Sequence, residues 1–225
     1  MDDPDADLRM LERTYDRFQY VNAVVSRPGR VYREVVRPRA RHGVVRVLDI
    51  GAGGGDLCRS VAAHLRRDGL RAEITALDPD ERAMAWAAAH DDGAGIRYRP
   101  AHSSELVAAG ERFDVVLSNH LLHHLSPEQL AALLADSERL VDRGGVAVHH
   151  DIARSRAAYA AFSAGTALLA RTLLADSFIR IDGLLSIRRS YTAAELASVV
   201  PASWRVRSRV PARLEVRWEQ ADARP

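Results

Sequence analysis

The hydrophobic positions of this chain change period along its length. Over residues 8–40 they fall at helical spacing, from Leu8, Leu11, Tyr15 and Phe18 to Val31, Tyr32, Val35 and Val36, with a break at Arg27-Pro28-Gly29. The spacing predicts two helices. They either cover a sheet edge or form a cap over a pocket, to which Tyr15, Phe18 and Tyr20 would bring aromatic surface.

Beyond residue 40 short apolar runs alternate with amphipathic ones, the mark of a parallel sheet with helical crossovers. Strands are predicted at 44–50, 72–78, 96–100, 113–119 and 146–151, and helices at 56–67, 80–90, 103–109 and 127–141. Ser126 caps the last helix, Pro127 sits in its first turn, and Gly144-Gly145 lie past its end. The tail departs from this rhythm. An Ala/Leu-rich helix pattern covers 153–175, a polar Arg-containing connection 177–190, and Thr192 with Glu195 forms a capping box. Two strand patterns, 205–210 and 213–218, are joined across Pro211-Ala212, so short a link that they must run antiparallel. No linker or repeat divides the chain, so residues 1–225 read as a single domain with a helical cap (8–40) and an insertion (153–191).

Composition narrows the function classes. The net charge of +2 is too small for a nucleic-acid face, and every basic residue is arginine. No apolar run approaches the ~18 residues of a membrane helix. The acidic start Met1-Asp2-Asp3-Pro4-Asp5 is the reverse of a signal peptide, and the lone Cys58 excludes an intramolecular disulfide. A soluble cytoplasmic protein is expected, monomer or homodimer, without nucleic-acid or membrane partners.

The chemistry concentrates after the first strand. Val47-Leu48-Asp49-Ile50-Gly51-Ala52-Gly53-Gly54-Gly55-Asp56 reads as a buried strand ending in an acid and entering a glycine turn, which lets backbone approach a ligand closely. A dinucleotide fingerprint needs a third glycine where Asp56 stands, and a carboxylate there repels a pyrophosphate. Asp49-x-Gly51-x-Gly53-x-Gly55 instead resembles motif I of the class I S-adenosylmethionine (SAM) methyltransferases, whose cofactor carries an ammonium, a sulfonium and no phosphate. The resemblance implies a Rossmann-like, seven-stranded, mostly parallel sheet with a C-terminal antiparallel hairpin and helices on both faces. A nicotinamide-dependent oxidoreductase is the disfavoured alternative.

Further segments fit that reading. Asp78, ending the second strand pattern and followed by Pro79, is placed to take the ribose hydroxyls; its other role would be to cap the next helix. Ser103 and Ser104 stand where the family puts a polar residue beside adenine, often Asp. Ser118-Asn119-His120-Leu121-Leu122-His123-His124 resembles the family's fourth motif, with Asn119 toward the methionine portion. His123 or His124 either touches substrate or pins the loop before Ser126; His124 is the substrate-side candidate. In His149-His150-Asp151 neighbouring side chains point to opposite faces, so only one histidine can look into the pocket, and no metal site is expected. His150 first and His120 second are the candidate general bases.

The acceptor is less legible. Phe162, Phe178, Tyr159 and Tyr191 would make an apolar, aromatic wall, and Arg180, Arg188 and Arg189 either hold an acidic group or form a solvated basic loop. Tyr15, Tyr20, His124, Tyr159 and Arg180 are the acceptor-contact candidates. The whole resembles small-molecule methyltransferases of bacterial secondary metabolism, such as antibiotic biosynthesis. O-methylation of a phenolic or polyketide-like acceptor is expected, with C- or N-methylation, or SAM binding without turnover, as alternatives.

Overall fold

The computed structural model describes residues 7–169, 172 and 174–220, with the backbone alone at 8 and 18–24. The first helix, α1 (Leu8–Val25), ends before Arg27, whose left-handed φ of 48° turns the chain into α2 (Pro28–Val31). A π-helical turn (Tyr32–Val36) and α3 (Arg37–Ala40) follow without interruption. Pro38 accounts for the widened turn, because its ring crowds the carbonyl four residues back and it has no N–H to offer. Then come β1 (Val45–Ile50), α4 (Asp56–Arg67), β2 (Ala72–Leu77), α5 (Glu81–Ala89), β3 (Arg97–Arg99) and α6 (Ser103–Ala108). They are followed by β4 (Phe113–Asn119), a 3-10 turn (Leu122–His124), α7 (Pro127–Leu140) and β5 (Val141–Ile152). The tail holds α8 (Arg156–Leu169), α9 (Ile179–Arg189), α10 (Ala193–Val199), β6 (Arg205–Arg209) and β7 (Arg213–Glu219).

The strands form a seven-stranded sheet in the order β3-β2-β1-β4-β5-β7-β6. The first five are parallel, while β7 runs antiparallel to both β5 and β6. Strand order reverses between β1 and β4, and at such a switch point the loops beyond the carboxyl ends diverge and leave a crevice. Alternation along each strand feeds two cores. Val115, Leu117, Val146 and Val148 face α2, α3 and α4, whereas Val116, Ala147, Leu134 and Leu140 pack with α6, α7 and α10. Each fully buried leucine contributes about 1.5–3 kcal/mol.

The expected capping box is present at Thr192/Glu195, and Ser126 caps α7 as expected, there also completing a box with Gln129. Two expectations are corrected: the 177–190 connection is largely helical, as α9, and of the helix expected at 153–175 the described residues show Arg156–Leu169. The pair Gly144-Gly145 lies past the end of α7, as expected, and inside β5, which begins at Val141. A Cβ at Gly145 would meet the Asp114 and Asp142 carbonyl oxygens at 2.8 Å, so only glycine fits where β5 draws up to β4.

His149 belongs to this framework. It is fully buried against Trp204, between the Ser118 and Ser137 hydroxyls at 2.8 and 3.2 Å. Ser137 gives its own proton to the Leu133 carbonyl, so Nε2–H donates to Ser137 and the Ser118 hydroxyl donates to Nδ1. Burial pulls this imidazole down to about 3 from 6.5. Between those values the unfolded chain binds a proton that the folded one does not, so stability falls as pH drops below 6.5. His149→Phe should flatten the fall in melting temperature between about pH 7 and pH 5, while lowering stability at neutral pH.

Candidate functional site

A cavity of about 500 Å³ opens beyond the carboxyl ends of β1, β4 and β5, under α1 and the α8–α9 pair. One side of it is the glycine turn. Gly51, Gly53 and Gly55 all take positive φ, at 70°, 50° and 73°. The Gly51 N–H donates to Leu77 at 2.8 Å, anchoring the turn to the end of β2. A Cβ on Gly51 would meet Leu121 at 2.9 Å, while one on Gly53 would stand in open space. Gly51 to Gly54 line the cavity; Gly55 does not, and lies instead beneath Tyr98 as the residue that launches α4.

Asp49 ends up buried at the cavity wall and accepts the Cys58 thiol at 3.3 Å. Burial raises its carboxyl to about 8, the Cys58 hydrogen bond opposing and nearby Asp56 and Asp78 reinforcing. Asp78 Oδ2 accepts the Gly53 N–H and Oδ1 the Asp80 N–H, both at 2.9 Å, so this carboxylate sets the turn's height above β2. Asp80 caps α5, the role weighed above for Asp78. Pro79 is exposed next to Asp78. Ser103 is turned away: its hydroxyl donates to Asp136 of α7 at 2.7 Å. Asn119 lines the cavity and accepts from Arg213 at 3.0 Å, and Arg213 also donates to the Val25 carbonyl, tying β4, β7 and the end of α1 together.

The histidines separate. His150 does not line the large cavity. It faces Glu215 at 3.6 Å in a separate void of about 20 Å³ beneath α2, with Ser26, Arg209 and Arg213. Burial lowers its pKa, against the pull of Glu215. His120 reaches the cavity with a strained φ of 60°, its Nε2 at 3.0 Å from the Ser26 hydroxyl. Burial brings it down to about 3, the Asp151 charge opposing and Arg213 reinforcing.

His123 was undervalued by sequence reasoning. Its Nδ1 lies 2.7 Å from Asp151 Oδ1, and its backbone N–H donates to Oδ2 at 2.8 Å. Nε2 has no hydrogen-bond partner among the described residues, on a side chain that lines the cavity. Asp151 is fully buried; burial pushes its carboxyl up, but the His123 hydrogen bond and neighbouring imidazoles outweigh this and it titrates below the usual value. The pairing joins residues distant in sequence, and the only signal for it was an acid and a histidine closing neighbouring strands. Among the described residues no group of His, Cys, Asp and Glu is placed to hold a metal ion.

The opposite wall is mostly apolar, with Ile152, Phe162, Ile179, Leu185 and Ile187, and it also carries Asp182, Ser186 and Arg189 of α9. Of the aromatic residues expected there only Phe162 lines it, and its ring lies where a Cβ on Gly183 would be, at 2.4 Å. Tyr15 packs on Gly54 and Trp86 (ring centroids 5.3 Å apart) and therefore stands over the glycine turn. His124 lines the cavity. Two expected contacts are corrected: Tyr159 lies under Arg188, and Arg180 binds the Ser163 carbonyl and the Thr166 hydroxyl, fastening α9 to α8. Neither lines the cavity. The Tyr20 and Phe18 side chains lie outside the described residues.

These donors fit an amino-bearing nucleoside cofactor. Two carboxylates flank a glycine turn with open space above Gly53, and the nearby Arg59 guanidinium is held by the Gly54 carbonyl at 2.7 Å. An ammonium beside Asp49 favours its charged form, so binding releases a proton. Calorimetry should show SAM binding tightening as pH rises toward about 8, by at most about tenfold per pH unit, then levelling off. Asp49→Asn should weaken binding and remove that dependence. Gly51→Ala should cost about 1–2 kcal/mol of stability from its left-handed backbone alone, read as a lower melting temperature.

A family model described as a methyltransferase domain matches residues 47–145, from β1 into the start of β5. Two ubiquinone biosynthesis O-methyltransferases are similar in sequence. The one from Azorhizobium caulinodans is 31% identical over 131 residues, covering 57% of this chain and 49% of the relative. The one from Cereibacter sphaeroides is 35% identical over 131 residues, covering 57% and 50%. The chain thus spans about half the length of these curated relatives. In structure, an O-methyltransferase family protein from Burkholderia thailandensis superposes with a TM-score of 0.61 at 18% identity, over 93% of this chain and 60% of that one. Human N-acetylserotonin methyltransferase in complex with SAM gives 0.64 at 13% identity, over 96% and 57%. The strand order, the acid-flanked glycine turn and the matched segment agree: residues 47–145 are similar to a methyltransferase domain, and the chain has the fold of the methyltransferases it superposes on.

Proposed function

We propose that the protein methylates a hydroxyl group of a small, largely apolar acceptor, with His123 as the general base and Asp151 as its orienting partner. The observation that carries the reading is the buried Nε2 of His123, without a hydrogen-bond partner among the described residues, on a residue that lines the cavity and has Nδ1 on Asp151. SAM, when bound, supplies a methyl group already activated by its sulfonium. The Asp151 carboxylate accepts the Nδ1–H, which fixes the tautomer with a bare lone pair on Nε2. That lone pair takes the proton of the acceptor hydroxyl as the oxygen forms its bond to the methyl carbon and the carbon–sulfur bond breaks. Asp151 stabilises the imidazolium, and its proton then passes to solvent.

Other residues serve position. Asp49, Asp78 and the Gly51–Gly54 turn hold the donor half, and Asn119, fixed by Arg213, stands between the two halves. Alignment of this kind can account for on the order of 7–11 kcal/mol of a barrier. Phe162, Ile179 and Leu185 exclude water from the acceptor side and suit a phenolic or polyketide-like ring. The sequence relatives named O-methyltransferases support oxygen as the accepting atom. His120 is a poor base at about 3, and its hydrogen bond to Ser26 assigns it to holding the end of α1.

The test is a panel of simple phenols and hydroxylated polyketides assayed for SAM-dependent methylation. His123→Ala and Asp151→Asn should lower kcat by about 10²–10⁴ with SAM affinity unchanged by calorimetry, and His150→Gln should keep most activity. Full activity in His123→Ala would remove the dyad from the mechanism.

A further inference from the structure

The α8–α9 pair carries an exposed surface that, apart from Leu185 at the cavity, neither the fold nor the proposed reaction uses. Phe162 lies on Gly183, and Arg180 reaches back to Ser163 and Thr166, so the two helices run antiparallel. On α8 the exposed residues include Ala157, Ala160, Ala161, Ala164, Gly165 and Leu168, which form one stripe without a charge. On α9 Ile181, Leu185, Arg188 and Arg189 are exposed along one stripe as well. Leu168 is 84% and Ile181 60% exposed. A surface helix ordinarily buries its apolar stripe and shows its charges; this pair shows its apolar stripes.

The charges that do occur are of one sign and in one place. Antiparallel packing sets Arg188 and Arg189, in the last turn of α9, beside Arg156 at the start of α8, and all three are exposed. Ala161, Leu185 and Arg189 also line the large cavity, so the face is continuous with its mouth.

We propose that this face seats on an anionic lipid surface, from which an apolar acceptor enters the cavity. Shallow burial of the α8 and α9 stripes removes them from water, and the arginine end meets lipid phosphates. A second copy of the chain suits the face less well. Parallel pairing would set the three arginines against their own kind, and antiparallel pairing would set them on the partner's leucine end. No helix among the described residues is long and apolar enough to cross a membrane, so the contact is peripheral. Acceptor entry rests on the acceptor assignment made above; docking itself does not.

The test is co-sedimentation of the full chain with phosphatidylglycerol/phosphatidylcholine vesicles and with phosphatidylcholine vesicles alone. The wild type should bind the anionic vesicles and lose binding as salt rises. The pair Leu168→Asp/Ile181→Asp and the triple Arg156→Gln/Arg188→Gln/Arg189→Gln should each weaken binding by at least roughly tenfold, with SAM binding retained as the check on folding. His123→Ala should bind vesicles like the wild type, which separates docking from the choice of base. Absence of binding to anionic vesicles, or binding unchanged in both variants, overturns the proposal. So does a dimer in analytical ultracentrifugation that Leu168→Asp/Ile181→Asp dissolves while vesicle binding is absent, because a second copy then covers the face.

Discussion

The acceptor side of this protein is organised around a carboxylate taken wholly out of water. Asp151 is fully buried at the end of β5, and an ion in that position is tolerated only if its oxygens are satisfied. The satisfaction comes from the His123 backbone and ring and from the Ile152 N–H. These bonds clamp the 3-10 turn after β4 onto the end of β5, and with it the direction in which His123 looks. Removing the carboxylate would orphan three donors and free the turn together, so the orientation of His123 and local packing are one structural fact.

The donor side follows a parallel logic with a different outcome. Asp49 is also buried, yet its hydrogen-bond partner among the described residues is a thiol, a weak donor. Its carboxyl is therefore pushed toward neutrality while that of Asp151 is held charged. Two acids at the ends of neighbouring parts of one sheet thus do different work: one attracts a cation on arrival, the other fixes an imidazole permanently.

Much of this was legible in the chain. Strand positions and the antiparallel pairing of β6 with β7 follow from the hydrophobic pattern and the short Pro211-Ala212 link, and the glycine turn with Asp49 and Asp78 pointed to the donor. The His123–Asp151 pair was not legible, for a geometric reason. Alternation along β5 separates the faces holding His149 and His150, and it does so in the structure. The cavity, however, lies beyond the strand ends and not over a face, so His150 stops short of it, while Asp151 reaches His123 on its wall. In α9, Gly183 interrupts an already mixed pattern, which made the segment read as a loop. The uncharged stripe of α8 is invisible in overall composition because hydrophobic residues make up 47% of the chain.

The contact between Phe162 and Gly183 bears on how such a protein diversifies. A single methyl group at 183 would have to displace the ring, whose other side faces the cavity. The wall that meets the acceptor is thus built from a helical pair outside the sheet, adjustable in steps of one carbon atom. The donor turn, held by backbone bonds to β2, has no such freedom. Lineages sharing this framework can drift in what they modify while the half that holds the methyl source stays constant.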